Sequence, residues 1–358
     1  MDLELIDTTA AAQWEKALAA LPEDRRDVYF TPEYASLYEG PRVRARCLAL
    51  RDGGEALVHV FMERRVTTVG GRTLDRECWI AESVYGYGGP LATTDDPAFL
   101  ASAQQALEAR QREAGIVSEF VRFHPLLENQ RWAPRDWRPA PDRHTVAMDL
   151  SRSESETWES DYPSTHRNRI RRARAAGVQV ELSTASADYA VFTEIYADTM
   201  RRVGAREFVR FSPAYFAALR ARLGPAFLFF AARWQGRVVA GAVILAHGRR
   251  LHHHLSGSAA DAQQVGPNNV LFHEIAGWGR AHGYRWFHLG GGATNADDDQ
   301  LLRFKKNFSR VRPLFHIGRG VYDPDRHEAL RAQWLAANPG REAGAYFQVY
   351  ASDEETAP

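Results

Sequence analysis

Three apolar runs, 226–234, 237–246 and 250–256, follow one another with only Gln235-Gly236 and His247-Gly248 between them. Turns this short that contain glycine make the chain double back, because glycine enters the φ > 0 conformations of tight hairpins. An antiparallel meander is therefore expected in the middle of the second half, and the flanking segments must supply the layers that cover it. Residues 164–174 predict a helix with Ser164 as its N-cap and Gly177 as its stop. A strand at 178–183 and helices at 187–202 and 213–223 precede the meander. After it come a helix at 268–283 and a strand at 285–289 that runs into Gly290-Gly291-Gly292.

The first half gives a looser version of the same order. It has helices at 9–20 and 32–39, strand-like runs at 45–51 and 56–63 about the turn Asp52-Gly53-Gly54, a helix at 97–114, and strands at 117–124 and 144–150. A chain of 358 residues suits two domains better than one core. The reading is α+β: two tandem units with mixed, mainly antiparallel sheets flanked by helices, at 1–150 and 151–311, followed by a C-terminal segment at 312–358. A final tail at 351–358 is expected to fray.

Lys+Arg and Asp+Glu are equal at 45 each, which argues against broad, unspecific nucleic-acid binding but leaves room for local basic patches. Two cysteines, Cys47 and Cys78, have no metal-type spacing and point to a reducing compartment. The N-terminus shows no signal-peptide pattern, and no apolar run approaches the roughly 20 residues of a membrane span. A soluble cytoplasmic protein is expected.

Arginine supplies nearly all of the basic charge; only Lys16, Lys305 and Lys306 are lysine. Two adjacent lysines in so arginine-rich a chain suggest a site needing a compact ammonium instead of a planar guanidinium, although codon drift gives the same pattern. Upstream lie Gly290-Gly291-Gly292 and Asp297-Asp298-Asp299. A glycine loop after a strand can present N–H groups to an anion, or can simply be a tight turn. Neither a Walker loop nor a dinucleotide fingerprint is present. Arg167, Arg169, Arg171, Arg172 and Arg174 make one basic helix, and Arg201, Arg202, Arg206 and Arg210 form a second cluster. Either a solvated surface or a phosphate contact accounts for them. Arg201-Arg202-Val203-Gly204-Ala205 approaches the R-x-x-G-x-[GA] loop that holds acyl-CoA pyrophosphate, but Arg206 stands at the last position. His252 and His254 alternate along a strand without a third metal ligand, so no metal is expected. No G-x-S-x-G elbow occurs.

Taken in order, these segments resemble the Fem-type (FemAB-like) aminoacyltransferases of the GNAT superfamily. The resemblance rests on the basic helix from Tyr162 to Gly177-Val178, the pair Gly236-Arg-Val-Val-Ala-Gly241, the stretch from Asn269 to Gly292, Phe304-Lys305-x-x-Phe308, and Tyr87-Gly88-Gly89-Pro90-Leu91. It covers most of residues 25–320. It implies two GNAT-like domains, with the chain after the second returning to pack on the first. It also implies transfer of an aminoacyl group from the acceptor end of aminoacyl-tRNA to an amine of a peptide or small molecule, with no cofactor or metal. Lys305 would be catalytic, beside the tRNA end and the reacting carbonyl. Arg210, Phe304, Lys306, Tyr87 and Gly291 would contact substrate, and Arg169, Arg171 and Arg172 the tRNA. A first-domain lysine that contacts substrate phosphate in that family is Ser36 here. An acyl-CoA-dependent N-acyltransferase and a non-catalytic binding protein are the alternatives.

Overall fold

The computed structural model describes residues 1–296, 298–341 and 346–354. They form two compact units: Met1–Asp142 with the described part of the chain from Phe315 onward, and Arg143–Leu314.

The first unit contains β1 (Asp2–Ile6), α1 (Ala11–Ala19), α2 (Pro32–Ala35), β2 (Val43–Asp52), β3 (Glu55–Val69), β4 (Arg72–Glu82), β5 (Gly89–Ala92), α3 (Pro97–Glu113), β6 (Ile116–Arg122) and β7 (Ala140–His144). Gly53 and Gly54, at φ 56° and 95°, turn β2 into β3 as the sequence requires. The Asp96 carboxylate accepts from Phe99 N and Pro97 occupies the first turn, so α3 starts where its sequence is built to start a helix.

The second unit contains β8 (Val146–Asp149), α4 (Glu154–Ser160), α5 (Ser164–Ala175), β9 (Gln179–Leu182), α6 (Ser186–Arg202), α7 (Pro213–Leu223), β10 (Phe227–Trp234), β11 (Arg237–His247), β12 (Arg250–Ser258), α8 (Pro267–Ala281), β13 (Trp286–Gly290) and α9 (Gln300–Lys306). The chain then supplies β14 (Leu314–Val321) and α10 (Pro324–Ala337).

The second sheet runs β8-β13-β12-β11-β10-β9. The expected meander is β10–β12, paired antiparallel. Its core is continuous from Val146 and Met148 through Ala240, Ile244 and Phe272 to Phe287 and Phe308. The first sheet runs β1-β2-β3-β4-β6-β14-β7, with β5 on β3. Both sheets are mixed: β4 is parallel to β6 and β12 to β13, while the other registered pairs are antiparallel.

Three local expectations differ from the structure, the first at the tail expected to fray over 351–358: Val349–Glu354 is a short 3-10 helix with Ala351 buried, and 355–358 lie outside the described residues. β8 was expected to end the first half, yet it pairs with β13 in the second sheet. A strand of four residues carries too little pattern to choose its sheet; a non-local partner chooses for it. The helix expected to be capped by Ser164 includes Ser164 as its first residue, and Pro163 takes the cap position without a side-chain bond. Proline's fixed φ explains the choice, since it presets the entry without needing a hydroxyl. Gly177 does stop that helix, at φ 85°, with Val178 N bonding back to Ala173 O at 3.0 Å. No helix among the described residues is long and apolar enough to cross a membrane.

Candidate active site

The candidate site lies where two parallel strands part. β12 and β13 pair from Arg250↔Trp286 to His252↔His288 and no further, although β12 continues to Ser258 and β13 to Gly290. The β11–β12 ladder also breaks its register here, with Val243 opposite Leu255 and Ile244 opposite His253, so His254 is bulged out. His253 sits in the opening. Its Nδ1 is 3.4 Å from Leu289 O and its Nε2 2.9 Å from Ser256 Oγ. With Nδ1–H donating to the carbonyl, Nε2 accepts from the serine hydroxyl. Burial, then the nearby Lys305 charge, holds this imidazole well below its usual pKa, so it is neutral at pH 7.

Lys305 reaches the same place from α9. It is only 5% exposed, and its Nζ donates to Gly291 O at 2.7 Å. An ammonium with few polar neighbours in a buried position loses hydration, which favours the neutral amine. The Lys305 pKa is accordingly pulled down to about 7, with the Asp299 charge opposing the shift. Near neutrality this residue holds either a positive charge or a free lone pair, which suits both oxyanion stabilisation and proton transfer.

The glycine loop is shaped by Asp299. That carboxylate accepts from Leu302 N at 2.9 Å, and so caps α9, and from Thr294 N at 3.0 Å and Thr294 Oγ1 at 3.1 Å. Burial raises its pKa, but these hydrogen bonds outweigh burial and leave it below the ordinary value. A Cβ on Gly292 would stand 2.4 Å from Asp299 Oδ1, so only glycine fits there. The loop therefore offers a carbonyl, that of Gly291, to a cation; the sequence had suggested N–H groups for an anion. Asp298 is exposed, and Asp297 lies outside the described residues.

Phe304 and Phe308 fix α9 from below. Phe304 meets Phe272 at 5.7 Å between ring centroids and Phe308 at 5.2 Å. Phe308 is fully buried and packs edge-on against His166 at 4.4 Å. Lys306 is half-buried, and its carbonyl accepts from Arg312 Nη2 at 3.2 Å. Lys305, Gly291 and Phe304 are thus brought together by the fold. Arg210 lies before α7, exposed, with Nε donating to Ala205 O at 2.9 Å. Its neighbour Phe211 stacks on Tyr215 at 4.1 Å, and the Tyr215 hydroxyl is 2.8 Å from His254 Nε2.

Arg169, Arg171 and Arg172 are exposed on α5. Arg171 bonds Asn168 at 3.1 Å and lies over the Trp158 ring at 5.3 Å. Tyr87 belongs to the first unit, half-buried, with ring contacts to Tyr29, His124 and Phe315. Sequence reasoning passed over His253 because its attention went to His252 and His254 as a metal pair.

The acetyltransferase (GNAT) domain family matches residues 160–306, which contain β9 to β13 and α9. The chain is 25% identical over 195 residues to the UDP-N-acetylmuramoylpentapeptide-lysine N(6)-alanyltransferase of Weissella viridescens; the match covers 52% of this chain and 56% of that protein, so the chain spans about half the length of this curated relative. Among solved structures, FemX superposes with a TM-score of 0.67 at 12% identity, over 92% of this chain and 99% of the other. The C-terminal domain of a lysylphosphatidylglycerol synthetase from Agrobacterium fabrum superposes at 0.56 with 17% identity, over 92% and 96%. These two likenesses speak for the fold. The chain thus carries an acetyltransferase (GNAT) domain match at residues 160–306, is similar over about half its length to an alanyltransferase, and shares the fold of FemX along nearly its whole length.

Proposed function

We propose that this protein transfers an aminoacyl group from aminoacyl-tRNA to an amine of a peptide or small-molecule acceptor, forming an amide. The observation that carries the proposal is the buried, near-neutral Lys305 at the parting of β12 and β13. The alanyltransferase relative supports the type of acyl group and a nitrogen acceptor.

An aminoacyl ester is already activated, so the reaction needs orientation and charge stabilisation, with no covalent enzyme intermediate, cofactor or metal. The acceptor nitrogen attacks the ester carbonyl and a C–N bond forms. The carbonyl oxygen gains negative charge, which the Lys305 ammonium stabilises. The C–O bond to the ribose then breaks, and the departing oxygen takes up the proton that the amine has lost. Gly291 O holds the ammonium in place until substrate arrives, and neutral His253 adds no competing positive charge. Arg169, Arg171 and Arg172 contact the acceptor end of the tRNA, while Arg210, Phe304, Lys306 and Gly291 contribute to substrate binding. Such a reaction belongs in the cytoplasm, where charged tRNA is found.

The test is incubation with charged total tRNA and a panel of amines, with and without RNase, beside an acyl-CoA panel. Amide formation abolished by RNase is the expected result. Turnover that survives RNase and requires acyl-CoA would replace this reading with an acyl-CoA-dependent N-acyltransferase. No turnover with either donor would favour a binding protein on the same fold.

A further inference from the structure

A cavity of about 230 Å³ opens in the first unit, lined by Arg44, Arg46, Glu63, Trp79, Arg110, Ala114 and Ile116. The transfer chemistry uses none of them. Arg44 stands on β2 opposite Glu63 of β3, and Trp79 stands on β4 opposite Arg65 of β3 and beside Ile116 of β6. Arg110 and Ala114 come from the C-terminal end of α3, so the cavity is the stretch of sheet that this helix leaves bare.

The charges there are unevenly satisfied. Buried Glu63 holds Arg46 at 2.8 Å, and Asp7 stands 3.6 Å from the same guanidinium. Arg46 is thereby neutralised. Among the described residues the Arg44 guanidinium lies over the Trp79 ring, 4.4 Å from its centre. Stacking fixes that guanidinium's plane and leaves its N–H edge free for an acceptor. Half-buried Arg110 has no side-chain partner among the described residues. In a chain with equal numbers of acidic and basic residues, two guanidiniums without an ion pair among the described residues line one concave place beside a half-buried indole.

We propose that this cavity binds the phosphate of a nucleotide, with Arg44 and Arg110 on the phosphate and the base against the apolar edge formed by Trp79, Ile116 and Ala114. Two guanidiniums give the forked donors that phosphate oxygens match, and the indole edge left beside the stacked Arg44 gives a base an apolar surface to lie against. The nucleotide is either free or part of an RNA strand. The inference concerns binding alone, so its failure leaves the transferase proposal standing.

The experiment titrates the whole protein with ADP, with inorganic phosphate and with a short single-stranded RNA, by calorimetry and by tryptophan fluorescence. ADP or the RNA should bind more tightly than phosphate. The Arg44→Ala/Arg110→Ala variant should bind at least about tenfold more weakly, as expected for losing charge-assisted bonds. The fluorescence change should vanish in Trp79→Phe. Binding of ADP but not RNA assigns the cavity to a free nucleotide, and the reverse assigns it to a strand. Equal affinity in wild type and the double variant, or no binding of any probe at millimolar concentration, overturns the site. Phosphate binding as tightly as ADP overturns the base contact. Both arginines are at the surface of the cavity, and unchanged circular dichroism of the variant excludes loss of fold as the cause.

Discussion

Among the described residues the buried Lys305 amine has one polar partner, the carbonyl oxygen of Gly291, and burial makes it release its proton easily. The side chain is enclosed, so a guanidinium in its place must either displace the glycine loop or withdraw from it. Lys305→Arg should therefore lose activity by roughly a hundred- to a thousand-fold, the usual cost of losing one oxyanion donor. Single-turnover kinetics with charged tRNA would measure the loss; a rate near that of the wild type would refute the role. The same residue should shape the pH dependence. In the proposed mechanism its ammonium is the working form, and its pKa is pulled down to about 7, so the rate should fall as pH rises through that value. The scarcity of lysine made Lys305 legible in the sequence. Its burial and its bond to Gly291 were not, because they depend on how far α9 and the glycine loop are pressed together. His253 was hidden for a similar reason: its place beside Lys305 depends on a bulge and a strand parting that no two-residue alternation contains.

At the scale of elements, the glycine loop and α9 behave as one piece because Asp299 is bonded to both. Gly292→Ala would push a methyl group to 2.4 Å from Asp299 Oδ1. Overpacking of this kind costs about 1–3 kcal/mol. Thermal melts should show that loss, and activity should fall with it, since the shift moves Gly291 and hence Lys305. A melting curve unchanged from wild type would show that the loop relaxes freely. The basic helix gives a separate test. Arg169, Arg171 and Arg172 are exposed on α5 and replaceable without touching its buried face of His166, Ile170 and Ala173. Changing all three to Ala should raise the apparent KM for charged tRNA and flatten its salt dependence. Unchanged kinetics would make this face merely solvated. The meander and the helix stop at Gly177 were readable because tight turns and αL glycines are local rules. The allegiance of β8 was not, because pairing between distant segments decides it.

For the whole molecule, the histidines set the response to acid. Burial lowers His166 to about 4 and, with a further contribution from His252, His254 to about 3, both from an ordinary value of 6.5. Between 6.5 and those values the unfolded chain binds protons that the folded chain refuses. The contribution of these two histidines is therefore complete above about pH 6.5 and declines as pH falls below it. Each group contributes at most about 1.4 kcal/mol per pH unit in that window. Denaturant midpoints from pH 7 to pH 4.5 should drop steeply in the wild type and less in His166→Phe. Parallel curves for the two proteins would mean that His166 takes up a proton without unfolding.

The strand order of the first sheet has a further consequence, for synthesis. β6 ends at Arg122, and its neighbour β14 begins at Leu314, with the entire second unit between them in the chain. At typical translation rates of about 5–20 residues per second, roughly 10–40 s pass before that neighbour leaves the ribosome. For that time β6 presents an unsatisfied edge in the interior of a half-built sheet, the situation in which strands pair with the wrong partner. The second unit, continuous in sequence, can fold within this interval, so the half of the protein made first is the half finished last.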